Sequence, residues 1–232
     1  MSILTGDNIF YSTIEEGIND PAIFKAVFLA GGPGSGKSFI VGKTALTSLG
    51  LVLINSDNAF EFKLEKVGLT TSPDDIYSDI GQSVRGQAKE LTSKKQKLAI
   101  QGRLGLVIDG TGKDFDKIKH QGEKLKSIGY DISLIFVNTD IETAQSRNAQ
   151  RTRTLPPAEV DAMWNAVQRN IGKFQSYFGN NMFIIDNSDK ADWQQATNDV
   201  YKKIKAWVDK PPHNHIAKKW LEQQKKERGI TS

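Results

Sequence analysis

The chain has 232 residues, of which 38% are hydrophobic and 25% charged, a balance that suits a folded domain and excludes collagen-like or fully disordered chains. It has no cysteine, so disulfides, thiolate nucleophiles and cysteine-bound zinc or iron–sulfur centres are excluded, and its three histidines are too scattered for a zinc site. The net charge of +4 falls entirely on residues 210–232, where six basic side chains face two acidic ones.

Residues 1–10 carry Asp7 and no basic residue before an apolar core, so they do not read as a signal peptide. No apolar run approaches the roughly 18 residues of a membrane span. A cytoplasmic protein without membrane contact is expected. Short, nearly continuous apolar runs predict strands at Lys25–Gly31, Leu51–Asn55, Leu104–Asp109, Asp131–Val137 and Met182–Asp186. Such runs mark strands covered on both faces, as in a parallel sheet. Helical spacing fills the intervals. Lys37–Leu49 stops at Gly50 and Asp114–Ile128 at Gly129, both good residues just past a helix end. Ala158–Tyr177 follows Pro156-Pro157, and Asp189–Val208 stops before Pro211-Pro212. The segment Glu61–Gly102 has no clear strand and reads as two or three inserted helices. Strands alternating with helices predict a three-layer α/β fold with a mostly parallel five-stranded sheet. The expected organisation is a domain over 1–209, with a helical insertion at about 58–102 and a lid at about 147–157. Residues 210–232 form a basic helical tail, which reads either as a solvated helix or as a site for phosphate polymers.

Gly31-Gly32-Pro33-Gly34-Ser35-Gly36-Lys37-Ser38 matches G-x-x-x-x-G-K-[ST], between an apolar run and a helical pattern. That makes the chain a P-loop NTPase fold. Glycines let backbone N–H groups converge on phosphate, and the following helix adds its positive end. Gly32, Gly34, Ser35, Gly36, Lys37 and Ser38 are the expected ATP contacts. Lys37 bridges the β- and γ-phosphates and Ser38 ligates Mg²⁺. A GTPase would need an N-K-x-D motif, and Asn138-Thr139-Asp140 lacks the lysine. Hydrolytic motors usually place an acidic pair at the end of strand three. Here Asp109 is followed by Gly110, with no glutamate to activate water. Transfer to an alcohol is favoured instead.

A kinase needs a base near the acceptor and cations over the phosphates. Asp57, after strand two, stands where the carboxyl ends of strands face the ligand crevice, close to the phosphate loop if the two strands are neighbours. It is a candidate general base, or an N-cap of the next helix. Arg147, Arg151 and Arg153, ahead of the break at Leu155-Pro156, suit a lid closing on transferring phosphate, or an exposed helix end. Arg169 and Lys173 are a weaker second set. Asp109 is the candidate water-mediated partner of Mg²⁺ opposite Ser38, or a turn carboxylate. Thr111 and Lys113 follow at the same crevice. Trp164, Trp193 and Trp207 sit on helical patterns and read as core, whereas Trp220 in the tail has little core to enter.

The combination of the phosphate loop, N-S-D at 55–57, V-I-D-G-T at 107–111 and R-N-x-x-R-x-R followed by L-P resembles the zeta-toxin and polynucleotide-kinase branch of P-loop kinases. The resemblance covers residues 25–189 and extends to stand-alone kinases of tailed phages, for which the host cytoplasm would be the location. It implies ATP and Mg²⁺ as cofactors, Asp57 as base toward an acceptor hydroxyl, and Arg151 or Arg153 on the triphosphate. The family usually carries an arginine soon after the strand-two aspartate, where this chain has Ala59-Phe60-Glu61, and zeta toxins tend to carry glutamate where Asp109 stands. The expected acceptor is a hydroxyl of nucleic acid or nucleotide, at a DNA or RNA end or on a modified base. A sugar-nucleotide kinase and a non-catalytic ATP-binding module remain as alternatives.

Overall fold

The structure, a computed structural model, describes residues 17–151 and 154–230. Its centre is a sheet of β1 (Lys25–Ala30), β2 (Leu51–Ile54), β3 (Gly105–Asp109), β4 (Asp131–Asn138) and β5 (Met182–Asp186). The order is β2-β3-β1-β4-β5, and every neighbouring pair is parallel. The helices among the described residues are α1 (Lys37–Thr44), α2 (Ser56–Lys66), α3 (Pro73–Tyr77), α4 (Asp79–Gln101), α5 (Phe115–Lys126), α6 (Ile141–Ala149), α7 (Pro157–Gln168), α8 (Ile171–Phe178), α9 (Trp193–Val208) and α10 (His215–Glu227). The expected α/β architecture is met. None of these helices is long and apolar enough to cross a membrane.

Strand β1 shows why its run is apolar from Ala26 to Ala30. Ala26, Phe28 and Ala30 enter one buried cluster, while Val27 and Leu29 enter another. The first cluster packs under α5 and α8 through Ile118, Leu125, Phe174 and Phe178. The second packs under α1 and α9 through Ile40, Val200, Ile204 and Trp207. Over Ala26–Ala30 alternate side chains therefore serve opposite layers, and both faces are covered. A third cluster of Phe60, Leu64, Ile76, Val84 and Ala88 holds α2, α3 and α4 together between β2 and β3.

Four expectations are corrected. Strand β2 is not the neighbour of β1, because β3 lies between them and β2 forms an edge. Strand β5 is the other edge and is not covered on both faces; Ile184 is exposed. Helix α1 ends at Thr44, because Ala45 takes a left-handed φ of 43° that no α-helix can continue. The single helix expected over 158–177 is two helices. At Asn170 the backbone bond turns to Val167, three residues back, and the side-chain amide bonds the Gly112 and Lys113 carbonyls, both at 3.0 Å.

The tail is docked. Lys25, 1% exposed, binds Asp131 at 2.9 Å, and the same carboxylate accepts the His213 and Asn214 amides. Asn214 caps α10 and also bonds the Lys126 carbonyl at 2.7 Å. Trp220 meets Phe24 edge-on at 5.6 Å under the Arg103 guanidinium, and Ala217 is fully buried. These contacts sit at the N-terminal ends of β1 and β4. One strand length, about 20 Å, separates them from the phosphate loop. Trp220→Ala is therefore expected to cost about 2–3 kcal/mol in urea unfolding, somewhat less than a fully buried tryptophan. A change within about 0.5 kcal/mol would place Trp220 on a solvated surface instead.

Candidate active site

The loop after β1 takes the shape its glycines permit. Gly34 and Gly36 have φ of 71° and 80°. A Cβ on Gly34 would stand 2.6 Å from the Ala144 carbonyl oxygen, and one on Gly36 would strike the Asn187 amide. Gly36 begins α1 without a side-chain cap, and the first turn has no acidic residue. Among the described residues no side chain caps this end of α1, so its positive end stays open to an anion.

Lys37 folds back so that Nζ donates to the Gly31 carbonyl at 2.7 Å. Burial pushes its ammonium below the usual lysine range; Asp109 opposes that, Arg151 adds to it, and Asp57 opposes it. Three of the expected site residues thus act electrostatically on one ammonium. Burial likewise raises the Asp109 carboxyl above its usual range, against the pull of Lys37. Asp109 Oδ2 accepts from Asn55 Nδ2 at 2.8 Å, whereas Oδ1 is buried and has no hydrogen-bond partner among the described residues. That orphaned oxygen and the exposed Ser38 hydroxyl beside the open end of α1 fit Mg²⁺, a hard cation that takes oxygen ligands.

Asp57 is not the N-cap. Asn55 caps α2, its Oδ1 accepting the Asp57 amide at 2.7 Å and the Asn58 amide at 3.4 Å. One asparagine therefore fixes the backbone of Asp57 and a carboxylate oxygen of Asp109 together. Its signal in the sequence was a preferred cap residue just after a strand. Asp57 is left exposed in the first helical turn.

The arginines divide. Arg147 is engaged, with one nitrogen on Asp189 at 2.8 Å and the other 3.4 Å from the Gly34 carbonyl, so it braces the phosphate loop. Arg151 lies just past α6 and is exposed. Arg153 lies outside the described residues. Asn148, buried, bonds both the N–H and the carbonyl of Leu155 and so ties residue 155 to the last turn of α6. Asn187, also buried, donates to the Ser35 carbonyl at 2.8 Å and ties β5 to the phosphate loop. Asn170 escaped the sequence reading, since a buried amide that bonds distant backbone leaves no periodic trace, and Asn148 entered it only as part of the R-N-x-x-R-x-R pattern. Trp164 is half-buried, with its indole N–H on the Thr139 carbonyl and its ring edge beside Gly32. Lys113 and Lys173 line an open cavity of about 410 Å³ with Asp114, Phe115 and Asn170, while Arg169 faces solvent.

The sequence pattern of the zeta toxin family matches residues 13–198. No curated protein matches the chain. Among solved structures, the AvrRxo1-ORF1:AvrRxo1-ORF2 complex with sulphate ions aligns with TM-score 0.53 and 17% identity over 78% of this chain and 62% of that one. A chain of the Pnkp1/Rnl/Hen1 RNA repair complex aligns with TM-score 0.50 and 19% identity over 65% of this chain. The present chain spans less than half of that protein, 46%. A gluconokinase from Sinorhizobium meliloti 1021 aligns with TM-score 0.50 and 12% identity over 81% of this chain and 95% of that one. At these identities the shared property is the fold.

Proposed function

The chain belongs to the zeta toxin family and has a P-loop kinase fold, and on that premise we propose that it transfers the γ-phosphoryl group of ATP to a hydroxyl of a nucleic acid or nucleotide. The observation that carries this reading is the uncapped start of α1, with the Lys37 ammonium folded back to the Gly31 carbonyl beside it. A phosphate lodged at the open end of α1 lies at that ammonium, with Asp57 on the acceptor side. Asp57 accepts the proton of the incoming hydroxyl while its oxygen bonds to the γ-phosphorus. The bond to the β-phosphate oxygen breaks, and ADP leaves. Lys37 and Arg151 spread the charge of the equatorial oxygens, and Arg153 is assigned the same task. Arg147, bonded to the Gly34 carbonyl, holds the loop in shape beside them. Ser38 and Asp109 would hold Mg²⁺, which neutralises β- and γ-phosphate charge when bound. No glutamate beside Asp109 is available to activate water, which favours an alcohol over hydrolysis. That one structural neighbour stands in an RNA repair complex supports the nucleic-acid choice.

An acceptor screen with γ-labelled ATP tests the proposal across DNA and RNA 5′ ends, modified DNA, nucleotides and sugar nucleotides. Label is expected on an acceptor of nucleic-acid or nucleotide type. Label confined to sugar nucleotides would move the acceptor class. Tight ATP binding with no transfer to any acceptor would make the chain a nucleotide-dependent binding module.

A further inference from the structure

The inner face of α10 accounts for its docking, and its outer face takes no part in it. Ala217, Trp220 and Leu221 pack with the cluster that holds Phe24 and Tyr130. At about 100° per residue, Lys218, Lys219, Lys225 and Lys226 fall within an arc of roughly 120° on the opposite side, and all four are exposed. None of the four forms an ion pair among the described residues. Glu222 is the one acid within that arc. A helix that only closed the core would need the inner three side chains and not this row. Residues 1–209 hold equal numbers of acidic and basic side chains, so the whole net charge of +4 lies in the tail. The zeta toxin pattern ends at residue 198, and α10 lies beyond the part of the chain it describes. Docking also fixes the row in space, through the Asn214 bond to the Lys126 carbonyl and the Arg103 guanidinium over the Trp220 ring. A row on a helix held to the body loses less conformational freedom on binding than the same row on a loose tail.

We propose that this outer face of α10 is a docking surface for the phosphate backbone of a nucleic acid, held without sequence choice. The geometry and chemistry of the face select that partner. Lys218 and Lys225 are seven residues apart, as are Lys219 and Lys226, which is about 10 Å along the axis. Phosphates repeated along a strand neutralise such a row, whereas a lone phosphate meets only one end of it. No Phe, Tyr, Trp or aliphatic residue lies within the arc, so the face offers no anchor for a protein hot spot. A helix of a membrane surface sinks its apolar side into lipid, and here that side is occupied by Phe24 and its neighbours. Backbone contacts position a polymer and leave its bases unread. The inference rests on the reading of the acceptor as nucleic acid, and it deepens that reading by giving the polymer a second point of hold. The surface lies about 20 Å from the phosphate loop, roughly six nucleotides at about 3.4 Å each. A strand held on α10 therefore reaches Asp57 only if it is at least that long, and a dinucleotide engages the site without α10.

Fluorescence anisotropy on the full chain tests the surface, with labelled single-stranded DNA and RNA of about 20 nucleotides and mixed sequence, across a range of NaCl from about 50 to 300 mM. The quadruple variant Lys218→Gln, Lys219→Gln, Lys225→Gln and Lys226→Gln changes only outward side chains, and an unchanged melting temperature verifies that α10 stays docked. It is expected to bind about tenfold or more weakly at low salt, with the slope of log K against log salt flattened by about 0.7 for each lysine engaged, or about 3 for all four. Arginine at the same four positions keeps both affinity and slope. Where transfer is measured, the glutamine variant raises KM for the long acceptor at unchanged kcat and leaves KM for a dinucleotide in place. Equal affinity and slope in the unaltered protein and the glutamine variant, or no binding by either, overturns the surface and leaves a solvated helix, even if nucleic-acid ends are phosphorylated. Lysine-dependent binding of polyglutamate or of phosphatidylserine vesicles, with none of the oligonucleotides, overturns the choice of partner. If the oligonucleotides bind through the four lysines and no phosphoryl group reaches any nucleic acid, the acceptor reading fails while the surface stands.

Discussion

Lys37→Ala is expected to lower phosphate transfer by about 10³-fold, in line with removal of a preorganised charge from a transferring group, while leaving the melting temperature unchanged or higher. Burial disfavours the Lys37 ammonium and places its pKa below the usual 10.5. The pH dependence has a definite sign. Between the lowered folded value and 10.5 the unfolded chain binds more protons than the folded one, so stability rises with pH across that window. Below the window the full penalty of the buried charge is present. Lys37→Ala removes both the penalty and the alkaline gain. Melting curves from neutral to alkaline pH should therefore converge, with the variant at least equal to the unaltered protein at neutral pH. Near-normal transfer by the variant would sink the assignment of the phosphate loop.

The elements legible in the sequence are those fixed by local chemistry. The phosphate loop is written in glycines whose backbone angles no other residue takes without strain. The strands are written in apolar runs because two helical layers cover the middle of the sheet. Long-range bonds explain what was not legible. Nothing local divides α7 from α8; the division is set where Asn170 turns its amide to Gly112 and Lys113 in a distant loop. The tail carries a basic composition that reads as solvated, yet Trp220 finds Phe24 and Arg103 at the far end of the sheet. Arg85 is the most instructive case. By spacing it is one cation among many on a polar helix. It comes to Asp57 only because Phe60 and Leu64 of α2 pack on Val84 and Ala88 of α4.

Asp57→Asn separates base from scaffold. An alcohol attacks poorly until its proton begins to leave, and a positioned carboxylate supplies a factor of about 10² to 10⁴. Asparagine keeps the size of the side chain and loses the base. The helix does not suffer, because its cap is Asn55, whose Oδ1 bonds the residue 57 amide through the backbone whatever side chain stands there. Only the favourable placement of an acid in the first turn is lost, about 0.3–1 kcal/mol. ATP affinity should stay near normal, since the glycines, Lys37 and Ser38 are untouched. Transfer measured in a single turnover should fall by about 10² to 10⁴, a barrier increase of about 3–5 kcal/mol. If transfer instead survives within a few-fold, Asp57 leaves the site. Suspicion then moves to Asp109, the other carboxylate that acts on Lys37.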